Sequence, residues 1–347
     1  TQFNWTYDST VPTITGNSLA SDNSTIAVTF SEAVYNSAAG SGALAANDFA
    51  LSISGGTATL SSSTPSSISV SSNTYTLGIS LSGSPNGSET ITVNPVTNSI
   101  YDIAGNVAST SQSNNTVSLN SVNYVLELNG SNEAAYVADD PAFESTDLSI
   151  QVWVDPGSLP SSGNQAWFVN KNKVYRIGMK NAGGTTKITG EFRDGSGDYE
   201  ELQGTTLSNA SGGWYHVVFT FDDSSNRLRL YVNGIEVASK THNNSTVNQN
   251  SAFSIGRRHD TNGAYYDGKI DEVAYWDTEL SANAISTLYN SGNPLSASSN
   301  SGNYSSSGNL VMYYQFQENL NDSEGSFDLT NYNNNIGASN YVAETID

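Results

Sequence analysis

The 347-residue chain has no cysteine, so no disulfide or thiolate metal site exists. Size must replace covalent staples, which suits a secreted bacterial chain better than an animal extracellular one. Basic residues are scarce: 12 Lys and Arg face 33 Asp and Glu, giving a net charge of −21. Such a surface repels a phosphate polyanion, which excludes nucleic acid as a partner, and favours cations, calcium above all. Only three histidines are present, scattered along the chain, which excludes zinc. No run approaches the ~20 apolar residues that span a bilayer, so membrane insertion is not expected. The Glu-, Lys-, Leu- and Ala-rich runs of a helical bundle are missing too. Position 1 is Thr and no signal peptide precedes it, so the chain reads as a processed protein or a piece of a longer one.

What is present points to strands. The chain carries 19 Tyr and 5 Trp among Ser, Thr, Asn and Gly, a mixture that favours sheets and tight turns. Residues 1–8 read as a lead-in segment. Over 9–120, short alternating runs ("IAVTF", "FALSIS", "TYTLGISLSG", "ETITVNPV") bounded by Gly, Asn, Ser and Pro predict a β-sandwich. The order "DSTVPTIT", "IAVTFSEAV", "YDIAGNVAS" resembles the bacterial Ig-like domains of surface-layer proteins and adhesins. That resemblance implies a spacer. Asp102 and Asn106 in its closing loop read either as a turn cap or as cation ligands.

The join "SLNSVN" is too short for a flexible linker, and a second domain is expected over 124–347, with a core at 124–293 and an extension at 294–347. In "LSIQVWVDP", Leu148, Ile150, Val152 and Val154 share one face and Gln151 and Trp153 the other. "WYHVVFTFDD" alternates likewise. Asn233-Gly234 is a strong type I′ hairpin signal. A short helix capped by Ser281, with Ile285, Leu288 and Tyr289 on one face and Gly292 at its end, is expected to plug one end of the sandwich. Residues 309–334 either add strands or open another module.

"ELNGSNEAAYV", "FESTDLSIQVWVDP", "WYHVVFTFD", "LYVNGIEVAS", "FSIGRR" and "YDGKIDEVAYWDTELSANAISTLYNSG", in that order, resemble the LamG-like jelly rolls of the concanavalin A-like and pentraxin-like group. The fold class expected for the whole chain is all-β, an Ig-like sandwich followed by this jelly roll. The resemblance implies binding of glycans or other proteins, commonly with calcium.

The acids of "DGKIDEVAYWDTELS" decide between enzyme and binding module. A retaining glycosidase needs two carboxylates ~5 Å apart on one face. Strict alternation would place Asp271 with Val273 and Tyr275, turn Glu272 the other way, and leave Asp277 beyond the strand. No catalytic pair is then expected. His216, Arg257, Arg258, His259 and Tyr265 hold the raw materials of a lyase, but the resemblance gives a His at position 216 without a catalytic role. For calcium, the resemblance implies a bridge between first and last strands, through Asn129, Asn132, Glu133 and Asp271, with Asn129 standing where an Asp is frequent. For a glycan, Tyr265, Tyr266 and Trp153 are the candidate stacking rings beside Trp167, Tyr199 and Trp276. Arg257, Arg258 and His259 of "RRHD" are candidate contacts for sulfate or uronate groups. The function expected is non-catalytic recognition or adhesion at an extracellular surface, with a glycan or surface protein as partner. The alternatives are a self-associating structural component of a surface layer, appendage or virion and, last, a glycan-cleaving enzyme.

Overall fold

The computed structural model describes residues 8–193, 199–210, 213–242, 249–259, 263–344 and 346. Of the lead-in segment, only Asp8 lies within them. The chain divides into two compact units, Thr1–Val122 and Asn123–Asp347. It is nearly all β, built of sandwich sheets without a barrel.

The first unit carries strands β1 (Ile14–Leu19), β2 (Thr25–Phe30), β3 (Phe49–Ser54), β4 (Thr59–Leu60), β5 (Ile68–Ser71), β6 (Thr74–Gly78), β7 (Leu81–Ser82), β8 (Thr90–Pro95) and β9 (Thr116–Ser118). Sheets β1-β2-β6-β5 and β3-β8-β9 enclose one core. Period-2 alternation builds it: Ile26, Val28 and Phe30 from one sheet meet Phe49, Leu51, Ile91 and Val93 from the other.

The second unit carries β10 (Tyr124–Asn129), β11 (Ala135–Val137), β12 (Leu148–Pro156), β13 (Gln165–Lys171), β14 (Tyr175–Ala182), β15 (Thr185–Arg193), β16 (Tyr199–Leu207), β17 (Tyr215–Asp222), β18 (Arg227–Val232), β19 (Ile235–Thr241), β20 (Phe253–Ile255), β21 (Asp267–Trp276), helix α1 (Ala282–Tyr289), β22 (Leu310–Tyr314), β23 (Thr330–Asn331) and β24 (Tyr341–Ala343). One sheet runs β19-β18-β17-β12-β21-β10-β24, with β22 also paired to β21, and the other runs β16-β15-β14-β13-β20-β11-β23. Leu148, Ile150, Val152 and Val154 face the shared core, as their spacing predicts. Asn233 and Gly234 form the β18–β19 turn with φ of +50° and +75°, the left-handed pair that a type I′ turn requires. Residues beyond 309 do not open another module: β22, β23 and β24 extend both sheets.

Helix α1 departs from expectation. Ser281 caps it, accepting from the Ala284 amide at 3.2 Å, but it stops at Asn290, which takes the left-handed cap conformation before Gly292 is reached. Nor does it plug an end of the sandwich. Ala284, Ile285 and Leu288 pack with Val218, Ala274, Trp276, Tyr304 and Tyr313 in a second cluster, separate from the inter-sheet core. The helix therefore lies over the outer face of the larger sheet and buries what that face carries.

Candidate functional site

Strand β21 carries the acids. Across the β12–β21 ladder Gln151 faces Ala274 and Trp153 faces Asp271, so Val152 stands opposite two residues, Glu272 and Val273. This is a β-bulge, and Glu272 sits in the left-handed region at φ +51°. The bulge overturns the expected alternation. Ile270, Val273 and Tyr275 face the core, whereas Asp271 lies on the outer side. Glu272 joins it there, accepting from the hydroxyl of Tyr313, a member of the cluster beneath α1. Two carboxylates therefore share one face. Both are buried, Asp271 fully and Glu272 to 6% exposure, so a sugar chain does not reach them. Asp277, beyond the strand, accepts from the Asn309 amide at 2.9 Å.

Burial pushes the Asp271 carboxyl well up, and the neighbouring Glu272 charge adds to the effect. Burial raises Glu272 to about 7 against hydrogen bonds from Tyr313 and Gln315. On the same face, His216 bonds Gln151 at 2.9 Å and packs against Trp153 and Tyr289, which also touch each other. Desolvation lowers it to about 3, so it is neutral at physiological pH.

The expected calcium set does not assemble. In the β10–β21 register Asn129 faces Asp267, not Asp271, which lies one residue past the Leu126–Ile270 pair. The loop oxygens are already engaged. Asn129 Oδ1 accepts from the Ser131 and Asn132 amides, Asn132 Oδ1 accepts from the Asn129 amide group, and Glu133 accepts from the Asn129 backbone. Asn129, Asn132 and Glu133 shape a turn, and Asp271 does not join them. In the first unit, Asp102 accepts from the Asn106 backbone at 2.8 Å and its side chain at 2.7 Å, which is the turn-cap arrangement. Asp8, Glu32 and Asp102 offer ligand atoms within 4.8 Å of one another there.

Four stacking candidates, Tyr266, Trp153, Trp276 and Trp167, are corrected by burial. Tyr266 is wholly inside, edge-on to Phe168, with its hydroxyl on the Lys269 carbonyl. Trp153 is 1% exposed beneath Tyr289. Trp276 is buried against the Tyr304 hydroxyl. Arg257 is also inside rather than on a solvated loop. Its guanidinium lies 3.8 Å over the Tyr332 ring and donates to the Tyr265 hydroxyl and to the Arg258 and His259 carbonyls. His259 packs on Tyr136 at 4.9 Å, and Asp260 of "RRHD" lies outside the described residues.

Tyr265 and Arg258 are brought together. With Asn129, Asn164, Gln165 and Asp267 they line an open cavity of 660 Å³ between the β10–β11, β12–β13 and β20–β21 connections. Half-buried Tyr265 supplies a ring, Arg258 and Asp267 supply opposite charges, and the amides supply paired donors and acceptors. Beside it, the outer face of the smaller sheet carries a polar row from β11 to β15: Tyr136, Ser254, Asn170, Arg176 and Glu191 are successive cross-strand partners. Arg176 is held between Trp167 and Tyr199 at 4.4 and 4.1 Å from their ring centres. Asn170 Oδ1 and Nδ2, Arg176 Nη1 and Trp167 Nε1 are buried with no hydrogen-bond partner among the described residues. Asp267, Asn164 and this row escape sequence reading because only pairing register and loop packing bring them together.

Residues 129–286 match the family model of the concanavalin A-like lectin/glucanases superfamily, Laminin_G_3. The matched stretch takes in β11 to β21 and ends within α1. A candidate carbohydrate binding protein from Bacteroides ovatus is similar in fold, with 16% identity and a TM-score of 0.50 over 98% of this chain and 94% of that one. Two looser likenesses add nothing to the fold assignment. One is a Ruminococcus gnavus sialidase CBM40 bound to α2,3-sialyllactose (14%, TM-score 0.38, 48% of this chain and 96% of that one). The other is domain 4 of an extracellular arabinanase from Geobacillus stearothermophilus with arabinotriose (22%, TM-score 0.37, 49% and 82%). No curated protein matches the chain.

Proposed function

We propose that the concanavalin A-like domain is a non-catalytic glycan-binding module of an extracellular surface protein, with the Ig-like first unit as its spacer. The cavity lined by Tyr265, Arg258, Asp267, Asn129 and Asn164 carries this reading. A ring beside convergent amides and charges suits a sugar, whose apolar face stacks and whose hydroxyls both donate and accept. The domain's superfamily and the carbohydrate binding suggested for the Bacteroides ovatus protein support it. Catalysis is set aside on geometry: the acids that share a face, Asp271 and Glu272, are sealed under α1 and β22, away from the cavity lining. The test is a glycan array followed by calorimetry on the full chain. Tyr265→Ala and Arg258→Ala are expected to lower affinity at least about tenfold with the melting transition kept. Product release from a polysaccharide panel would instead make the chain an enzyme.

A further inference from the structure

The buried acid pair is also where the end of the chain is fastened. Asn123, at the start of the unit, donates to Asp271 at 3.2 Å and to the Glu344 carbonyl at 3.2 Å, and accepts from Gln317 at 2.7 Å. Glu272 is held by Tyr313 of β22, and Gln315 donates to that same Tyr313 hydroxyl at 3.3 Å. Strand β22 pairs with β21 at Val273–Tyr314 and Ala274–Tyr313, directly after the bulge. The segment from Leu310 to Ala343 thus docks beside two carboxylates that low dielectric forbids from ionising together at small cost. Its far part reaches the glycan cavity's support: Tyr332 lies on Arg257, and Arg257 holds the Tyr265 hydroxyl at 3.1 Å.

We infer that the segment 310–343 is a proton-controlled strap: it stays docked while the Asp271–Glu272 pair carries at most one negative charge, and it loosens, freeing Tyr332 from Arg257, when both carboxylates ionise. The bulge at Glu272 is the structural cause, since a regular strand would turn the second acid to the opposite face. Asp271 accepts from the Glu272 amide and from Asn123, which offset one charge, but the described groups bring no free cation to the pair for a second. From β22 comes neutral Tyr313, and from β17 neutral His216 through Gln151, which donates to the Glu272 carbonyl. Lys269, two residues away on β21, is already paired with Glu344. Both acids are raised in the folded state, so the strap's contribution is complete at low pH. It falls as pH climbs from the ordinary carboxylate range through about 7, the Glu272 value, and further as Asp271 ionises.

The effect on ligand rests on the glycan reading; the strap itself does not. Amide hydrogen exchange of the full chain at pH 6 and 8.5, corrected for intrinsic rates, tests it. Exchange in 310–316 and 330–336 is expected to rise at least about tenfold at pH 8.5 relative to β12 and β17. Glu272→Gln, which keeps the Tyr313 contact without a charge, is expected to abolish that rise. Tyr332→Ala leaves 310–316 protected but weakens binding of whichever array glycan the wild-type chain captures. Equal relative exchange at both pH values, or an unaltered rise in Glu272→Gln, overturns the strap. Should Glu272→Gln fold poorly, Asp271→Asn removes the other charge of the pair while keeping an oxygen for Asn123, and it is likewise expected to abolish the rise. An unaltered rise in Asp271→Asn overturns the strap equally. A pH-dependent strap in a chain that captures no glycan would leave the strap standing and sink only the glycan reading.

Discussion

Arg257 donates to the hydroxyl of Tyr265 at 3.1 Å while Tyr332 covers its guanidinium at 3.8 Å. A buried cation with no carboxylate partner among the described residues is held here by a phenol, two carbonyls and a ring face. The arrangement fixes one side chain at the cavity rim from behind.

Arg257→Lys tests that relationship. Lysine keeps the charge but loses the planar fork and most of the stacking. Binding is expected to weaken about fivefold to tenfold, with a loss of stability of about 1–2 kcal/mol. Calorimetry and urea denaturation on the same preparation separate the two effects.

The neighbours Tyr265 and Tyr266 are expected to behave oppositely. Tyr265→Ala removes a half-buried rim ring and is expected to cost binding with little change in stability. Tyr266→Ala empties a fully buried site against Phe168 and is expected to cost about 3–5 kcal/mol. Denaturation midpoints beside array signals check the pair.

Gly234→Ala is expected to destabilise by about 1–2 kcal/mol, because φ is +75° and an added Cβ would stand 3.0 Å from Tyr289 Cδ1. A melting curve suffices.

Stability is expected to respond to pH with two opposed slopes. His216 is lowered to about 3 in the fold, so the unfolded chain binds its proton first, and stability rises from about pH 3 to the ordinary histidine value near 6.5. Asp271 and Glu272 are raised, so stability falls from about pH 4.5 upward through 7. Urea titrations at four pH values are expected to lose the first slope in His216→Gln and the second in Glu272→Gln.

Much of the fold was legible. Leu148, Ile150, Val152 and Val154 alternate without interruption, and Asn233-Gly234 admits few conformations besides the turn it makes. Periodicity assumes a regular strand, so the bulge at Glu272 was invisible, and with it the shared face of the two acids. Trp153 and Tyr266 read as contacts because their burial comes from α1 and from Phe168, distant in sequence. Asp271 was paired with the Asn129 turn in place of Asp267 because inter-strand register is a tertiary property.

The chelator arm of an array checks the cation question for the second unit. Asn129, Asn132 and Glu133 bond within their own turn and Asp271 lies apart from it, so glycan capture is expected to persist in EDTA.

The most direct test is calorimetric titration of the full chain with its best array glycan, run beside Tyr265→Ala and Arg258→Ala. The predicted result is saturable binding by the wild-type chain, lost at least tenfold in both variants at unchanged melting temperature. Equal affinity in all three proteins would contradict the placement of the site at this cavity, and no capture of any glycan would contradict the function.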